Sequence, residues 1–252
     1  MAGACLFALA GGCGRADSRL ATGPIVTTTT STTPTTLPPP TTPPCPSVPV
    51  PAAGPTTLAT QTVAAVSYYD GPGGRAVRAL QMNRWGGPTV RPVIATQGAW
   101  LQVRLDYRPN GSTVWVRQQD MTLTTTTYHI VVSVCRRSLT LFQDGQMVHT
   151  APVGVGQPQW ATPVGPSYVS AVVATPKRQL YTYGPTVLIL ATHSNVFNEF
   201  DGGDGTVGIH AYPSDPASTR GVMSSHGCVR VAPTTIDAIK VVPVGTPVDI
   251  ST

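Results

Sequence analysis

Short runs in which apolar and polar residues alternate fill the chain from about residue 61 onward, separated by clusters of turn-forming residues. A period of two predicts half-buried β-strands. On that pattern residues 63–66, 89–94, 100–105 and 113–116 read as strands. Asn110-Gly111 between the last two marks a hairpin, since both turn positions favour a left-handed backbone. Further strands are expected at 128–134, 138–142, 147–153, 168–173, 186–191 and 246–250, with Asp144-Gly145 turning the second into the third. One helix is expected, from Pro233 to Val241, with proline in its first turn and Ile236, Ile239 and Lys240 at helical spacing. The fold class is therefore mainly β with one short helix.

The first 60 residues carry a different pattern. Residues 2–12 are an apolar, small-residue run, of a length that suits a secretory signal and is too short to span a bilayer. The run ends at Ala10-Gly11-Gly12-Cys13, which resembles a lipoprotein signal. That resemblance makes Cys13 the expected site of lipid attachment; the alternative is a disordered start with no address. From about 21 to 60 the chain is mostly Thr and Pro, too poor in apolar surface to fold alone and kept extended by proline. The expected division is a signal-like segment (1–20), a linker (21–60), a small β domain (61–126) and a second β domain (127–252).

Composition narrows the chemistry. Only 11% of residues are charged and the net charge is +5, with no Lys/Arg run that would track a nucleic acid. The five cysteines, Cys5, Cys13, Cys45, Cys135 and Cys228, are too scattered for a disulfide scaffold. Cys135 ends the apolar run 130–135 and is expected to be a buried free thiol, while Cys45 has no partner that spacing identifies. Trp100 and Trp115 bracket the hairpin as core aromatics. Tyr68, Tyr69 or Trp85 could line a binding groove, or serve as ordinary packing in a spacer.

The densest chemistry lies at Val207-Gly208-Ile209-His210, followed after fourteen residues by Ser225-His226-Gly227-Cys228-Val229-Arg230. A thiol becomes an acyl-transfer nucleophile when a base takes its proton and backbone N–H groups receive the oxyanion. A histidine closing an apolar strand and a cysteine after glycine supply those elements. His210, His226 and Cys228 could instead be zinc ligands, but no fourth ligand sits at a suitable spacing. No metal or cofactor is expected.

This signature resembles that of the L,D-transpeptidases of the bacterial cell wall, and the meander from Tyr128 resembles the opening of their catalytic domains. The 61–126 region, with its Trp-Val-Arg ending at Trp115, resembles a bacterial SH3-like module. The resemblance implies an L,D-transpeptidase-type β-sandwich behind a small SH3-like β-barrel. It makes Cys228 the nucleophile and His210 its base, oriented by a backbone carbonyl. His226 and Gly227 would help form the oxyanion loop, and Arg230 would hold a substrate carboxylate or brace that loop. Ser225 is a substrate-side or loop residue, and Tyr181, Tyr183 and His193 fall in a lid region where surface packing is the simpler reading. The implied partners are peptidoglycan stem peptides and carbapenem-type inhibitors, in an exported protein that meets the membrane only through an N-terminal lipid. A carboxypeptidase, a lipoprotein-attaching enzyme and a non-catalytic wall-binding protein stay open as alternatives.

Overall fold

The computed structural model describes residues 44–81 and 83–252. Cys5, Cys13, the signal-like segment and most of the Thr/Pro stretch lie outside the described residues. The first sheet uses β1 (Thr56–Gln61), β2 (Ala65–Tyr69), β3 (Ala76–Gln81), β6 (Val90–Gln97), β7 (Trp100–Arg104), β8 (Thr113–Arg117) and β9 (Met121–Thr126). A small hairpin, β4 (Asn83–Arg84) with β5 (Gly87–Pro88), projects between β3 and β6 in the chain. The sheet order is β3-β2-β8-β7-β6-β1-β9, and every pairing is antiparallel. Alternate residues Leu101 and Val103, with Val66, Leu80 and Val116, form its core. The first strand starts at Thr56, inside the stretch expected to be linker, because Leu58 and Ala59 add enough apolar surface to join the sheet.

The second sheet holds β10 (Tyr128–Ser133), β11 (Ser138–Gln143), β12 (Gln146–Pro152), β14 (Gly165–Ala174), β15 (Thr186–His193), β16 (Thr206–Ala211), β18 (Val229–Val231) and β19 (Pro247–Ser251). Their order is β12-β11-β10-β19-β14-β15-β16-β18. Two short strands, β13 (Val155–Gly156) and β17 (Met223–Ser225), pair beside it. The fold is a mainly-β sandwich type. Two helices are present among the described residues where one was expected: the single turn α1 (Leu180–Tyr183) and α2 (Pro233–Ile239). Four residues are too few to show periodicity, so α1 gave no signal in the sequence. Ile236 and Ile239 of α2 join the core with Ile130, Leu139, Leu188 and Ile209.

Cys135 is not a free thiol. It forms a disulfide with Cys45, across a sequence separation of 90. Both cysteines stood in segments read independently, one a linker and one a strand end, so nothing local linked them. The segment that carries Cys45 docks on turns of the second sheet. Arg136 donates to the carbonyls of Pro46 (2.6 Å) and Cys45 (3.0 Å), and the Gly54 amide donates to Asp144 (2.9 Å). No described helix is long and apolar enough to cross a membrane.

The two sheets meet through the loop between β7 and β8. Arg91 and Asp106, both buried, approach to 3.7 Å, and Ser170 of β14 donates to Asp106 at 3.1 Å. Arg108 donates to the carbonyls of Ser194, Phe197 and Asp204, while Asn110 exchanges two hydrogen bonds with the His193 backbone. The first sheet thus clamps the loop that leaves β15.

Candidate active site

β16 and β18 run parallel, with Ile209 opposite Val229 and His210 opposite Arg230. Parallel neighbours need a crossover of about a dozen residues or more, and residues 212–228 provide it. The spacing between His210 and the cysteine motif is the length required for the chain to return beside itself. Strand pleating then sorts the side chains. Val207, Ile209, Ala211, Val229 and Val231 enter the core. Gly208, His210, Cys228 and Arg230 line the opposite face, the floor of a pocket of about 430 Å³. Val187 and Ile189 of β15 extend that floor, and a Cβ on Gly208 would press on Val187 at 3.0 Å.

His210 is 2% exposed, and its Nδ1 lies 2.5 Å from the Ala211 carbonyl oxygen. A carbonyl only accepts, so Nδ1 carries the proton and the neutral ring keeps its lone pair on Nε2. Burial lowers its pKa to about 4; the Arg230 charge acts in the same direction, and the Ala211 carbonyl opposes. Cys228 is the free cysteine of the described residues, half-buried at the pocket. Burial raises its pKa, against the opposing effects of the Gly208 backbone and Arg230. Both shifts favour the uncharged forms, a thiol and a neutral imidazole, over an ion pair.

The cysteine loop is fixed by its own polar groups. Ser225 Oγ donates to the Cys228 carbonyl (2.6 Å) and accepts from the Gly227 amide (3.1 Å). Thr162 donates to the Gly227 carbonyl and accepts from the Gly156 amide, each at 2.9 Å. Gly227 has φ +123°, a conformation that favours glycine. One expected role shifts here. The Gly227 amide donates inside the loop, to Ser225, while the Ser225 hydroxyl takes the loop role, one of the two expected for it. A hydroxyl two residues before an amide closes such a turn readily. Arg230 donates to the Ser224 carbonyl (3.1 Å) and lies 3.7 Å over the Tyr212 ring, so it braces the loop while also lining the pocket. His226 stacks on Trp160 at 4.1 Å, with Phe200 at 5.3 Å.

Residues 127–250 match the YkuD family, the L,D-transpeptidase catalytic domain. The chain carries an L,D-transpeptidase catalytic domain. Among solved structures, an L,D-transpeptidase from Mycobacterium smegmatis is 19% identical, covers 65% of this chain and 90% of its own, and superposes with a TM-score of 0.41. L,D-transpeptidase 3 from Mycobacterium tuberculosis, in complex with a faropenem-derived adduct, is 14% identical over 65% of this chain and 91% of its own, with a TM-score of 0.43. No curated protein matches the chain.

Within the transpeptidase domain, several pocket residues carried no sequence signal of their own. Tyr183, read as surface packing, meets the His210 ring edge-on at 4.9 Å and donates to Asp201 at 2.8 Å. Burial raises its pKa, helped by that bond to the Asp201 carboxylate. Tyr181 is exposed, whereas His193 is buried and pairs with Asp204 at 3.2 Å. Asp201 and Asp204 therefore serve Tyr183 and His193, not His210. Gly208 was legible only in hindsight, as the residue two before His210 on the same strand face. Trp85, in the turn of the separate β4–β5 hairpin, also lines the pocket.

Proposed function

We propose that this protein is an exported L,D-transpeptidase that cross-links peptidoglycan stem peptides through Cys228. The thiol attacks the carbonyl of a diamino-acid residue at its L-centre, next to a terminal D-Ala. His210 Nε2 takes the thiol proton as the C–S bond forms, then gives it to the departing amine. D-Ala leaves and a thioester remains. A side-chain amine of a second stem attacks the thioester, returns a proton through His210 and frees the thiol. The observation that carries this reading is the shared pocket floor, where a histidine with a fixed tautomer and an open Nε2 accompanies the free thiol. The backbone amides of His226 and Cys228 are the proposed oxyanion donors, because the Gly227 amide serves the loop.

Export is supported by the Cys45–Cys135 disulfide, since such bonds persist in oxidising compartments. Lipid attachment at Cys13 and a tether over the Thr/Pro stretch complete the proposed localisation. The first sheet serves as an SH3-like module held against the catalytic domain. The test is intact-mass spectrometry of the protein with a carbapenem and with a tetrapeptide stem. A covalent adduct on the parent that disappears in Cys228→Ala is the expected result. A folded parent that forms no adduct with either ligand would overturn the reading.

A further inference from the structure

Among the described residues, every one that lines the pocket but one comes from the transpeptidase domain. The exception is Trp85, at the tip of the separate β4–β5 hairpin that lies between β3 and β6 in the chain, 39% exposed. Asn83 pairs with Pro88 and Arg84 with Gly87, which leaves Trp85-Gly86 as a two-residue turn. Both turn residues have positive φ, +56° and +81°. That geometry belongs to Asn-Gly or Gly-Gly, and a bulky aromatic is among the least suited residues for its first position. The fold gains no turn stability from tryptophan there. Local backbone strain at a position facing a reactive pocket marks a side chain retained for what it touches.

We propose that Trp85 is a specificity-determining residue that stacks on a sugar ring of the glycan carrying the donor stem peptide. This proposal rests on the function proposed above. A stem peptide placed with its terminal D-Ala bond at Cys228 has its other end joined to sugar, and that end must leave the pocket. Trp85 reaches the pocket from a separate sheet. It shares the lining with a second partly exposed aromatic, Phe200, itself 39% exposed. The carboxylates nearest in the lining already serve other groups, Asp201 taking the Tyr183 hydroxyl and Asp204 pairing with His193. What the two aromatics offer is flat apolar surface. The C–H face of a pyranose carries partial positive charge and suits the negative face of an indole, whose N–H can meet a hydroxyl or acetamide. Short D-amino acids present no such face.

The test uses the purified full chain with two donors, a free stem tetrapeptide and the same tetrapeptide on its disaccharide. Trp85→Ala and Trp85→Asn are expected to lower kcat/KM roughly three- to tenfold on the disaccharide-linked donor, mostly through KM. Losses on the free tetrapeptide and in carbapenem acylation of Cys228 should be clearly smaller, and Trp85→Phe should keep most of the preference. Trp85→Asn should hold or raise the thermal midpoint, because asparagine tolerates the turn geometry, so lost preference could not be ascribed to misfolding. Equal losses on both donors, or no loss on either, would overturn the proposal. Calorimetric binding of the two donors to Cys228→Ala, with and without the Trp85 change, reads the same preference without turnover. If the parent turns over neither donor, the proposed reaction fails, and this binding comparison alone decides on Trp85.

Discussion

Acidification should destabilise this protein through one buried ring. In the unfolded chain a histidine titrates near 6.5, whereas burial holds His210 at about 4. Between those values the unfolded chain binds a proton that the folded chain refuses, so stability is complete above pH 6.5 and falls as pH drops toward 4. Below that the ring is protonated in both states and its contribution is flat. At 1.36 kcal/mol for each tenfold difference in proton affinity, the loss by pH 4 is about 3 kcal/mol, a sizeable share of the 5–15 kcal/mol typical of folded domains. Carboxylates also begin to titrate near pH 4, so the comparison must isolate His210. His210→Asn keeps an N–H for the Ala211 carbonyl and removes the titration. Urea unfolding of parent and variant at pH 7.5, 5.5 and 4 should show the parent losing about 3 kcal/mol more than the variant. Parallel curves would refute the assignment. In the same series, the acid limb of Cys228 acylation should fall near pH 4 rather than 6.5, because the base stays unprotonated until then.

Three other perturbations probe the frame around the site. Cys45→Ser removes a crosslink spanning 90 residues and should lower stability by about 2–4 kcal/mol, read by urea midpoint, with Cys228 acylation retained. Asp106→Ala leaves the fully buried Arg91 without its carboxylate and should cost about 3–5 kcal/mol in the same measurement. Arg108→Ala frees three carbonyls of the loop after β15; hydrogen exchange over residues 194–205 should rise, and acylation should slow as Phe200 and Asp201 lose their fixed places.

How much of this could be read from the chain depends on how far each interaction reaches. The His210 and Cys228 pairing was legible because both sit in one motif, His210 followed after fourteen residues by Ser225-His226-Gly227-Cys228-Val229-Arg230, whose resemblance to a known signature joined them. The crossover that brings the two strands side by side was not read from it. The 100–117 hairpin was legible because Asn110-Gly111 declares its turn locally. That Asn110 also grips the His193 backbone, 83 residues on, was not legible, since the same side chain satisfies the turn rule without it. Cys45 illustrates the opposite failure. Proline and threonine around it indicate an extended backbone, which a free linker and a docked strap share, and only the arginine and cysteine on the distant β10–β11 turn distinguish them. The Gly227 role shifted for a third reason: a motif names residue types, while amide directions follow from the turn the loop adopts.

The neutral resting state of the site also bears on where this protein works. A compartment that closes Cys45 and Cys135 into a disulfide is hostile to any exposed thiolate, because the thiolate is the form that is oxidised or exchanged. An enzyme that activated Cys228 with a permanent ion pair would place its nucleophile in that danger between turnovers. Here burial acts on both partners in the same sense, raising the thiol and lowering the imidazole, so neither carries charge at rest. The proposed base is nevertheless ready, with its tautomer fixed by the Ala211 carbonyl and its lone pair on Nε2. In the proposed mechanism, proton transfer then becomes favourable only when a carbonyl carbon arrives to share the developing negative charge with the proposed oxyanion donors. Desolvation in that mechanism thus ties reactivity to substrate, and the β16–β18 face opposite the core holds both groups in that state.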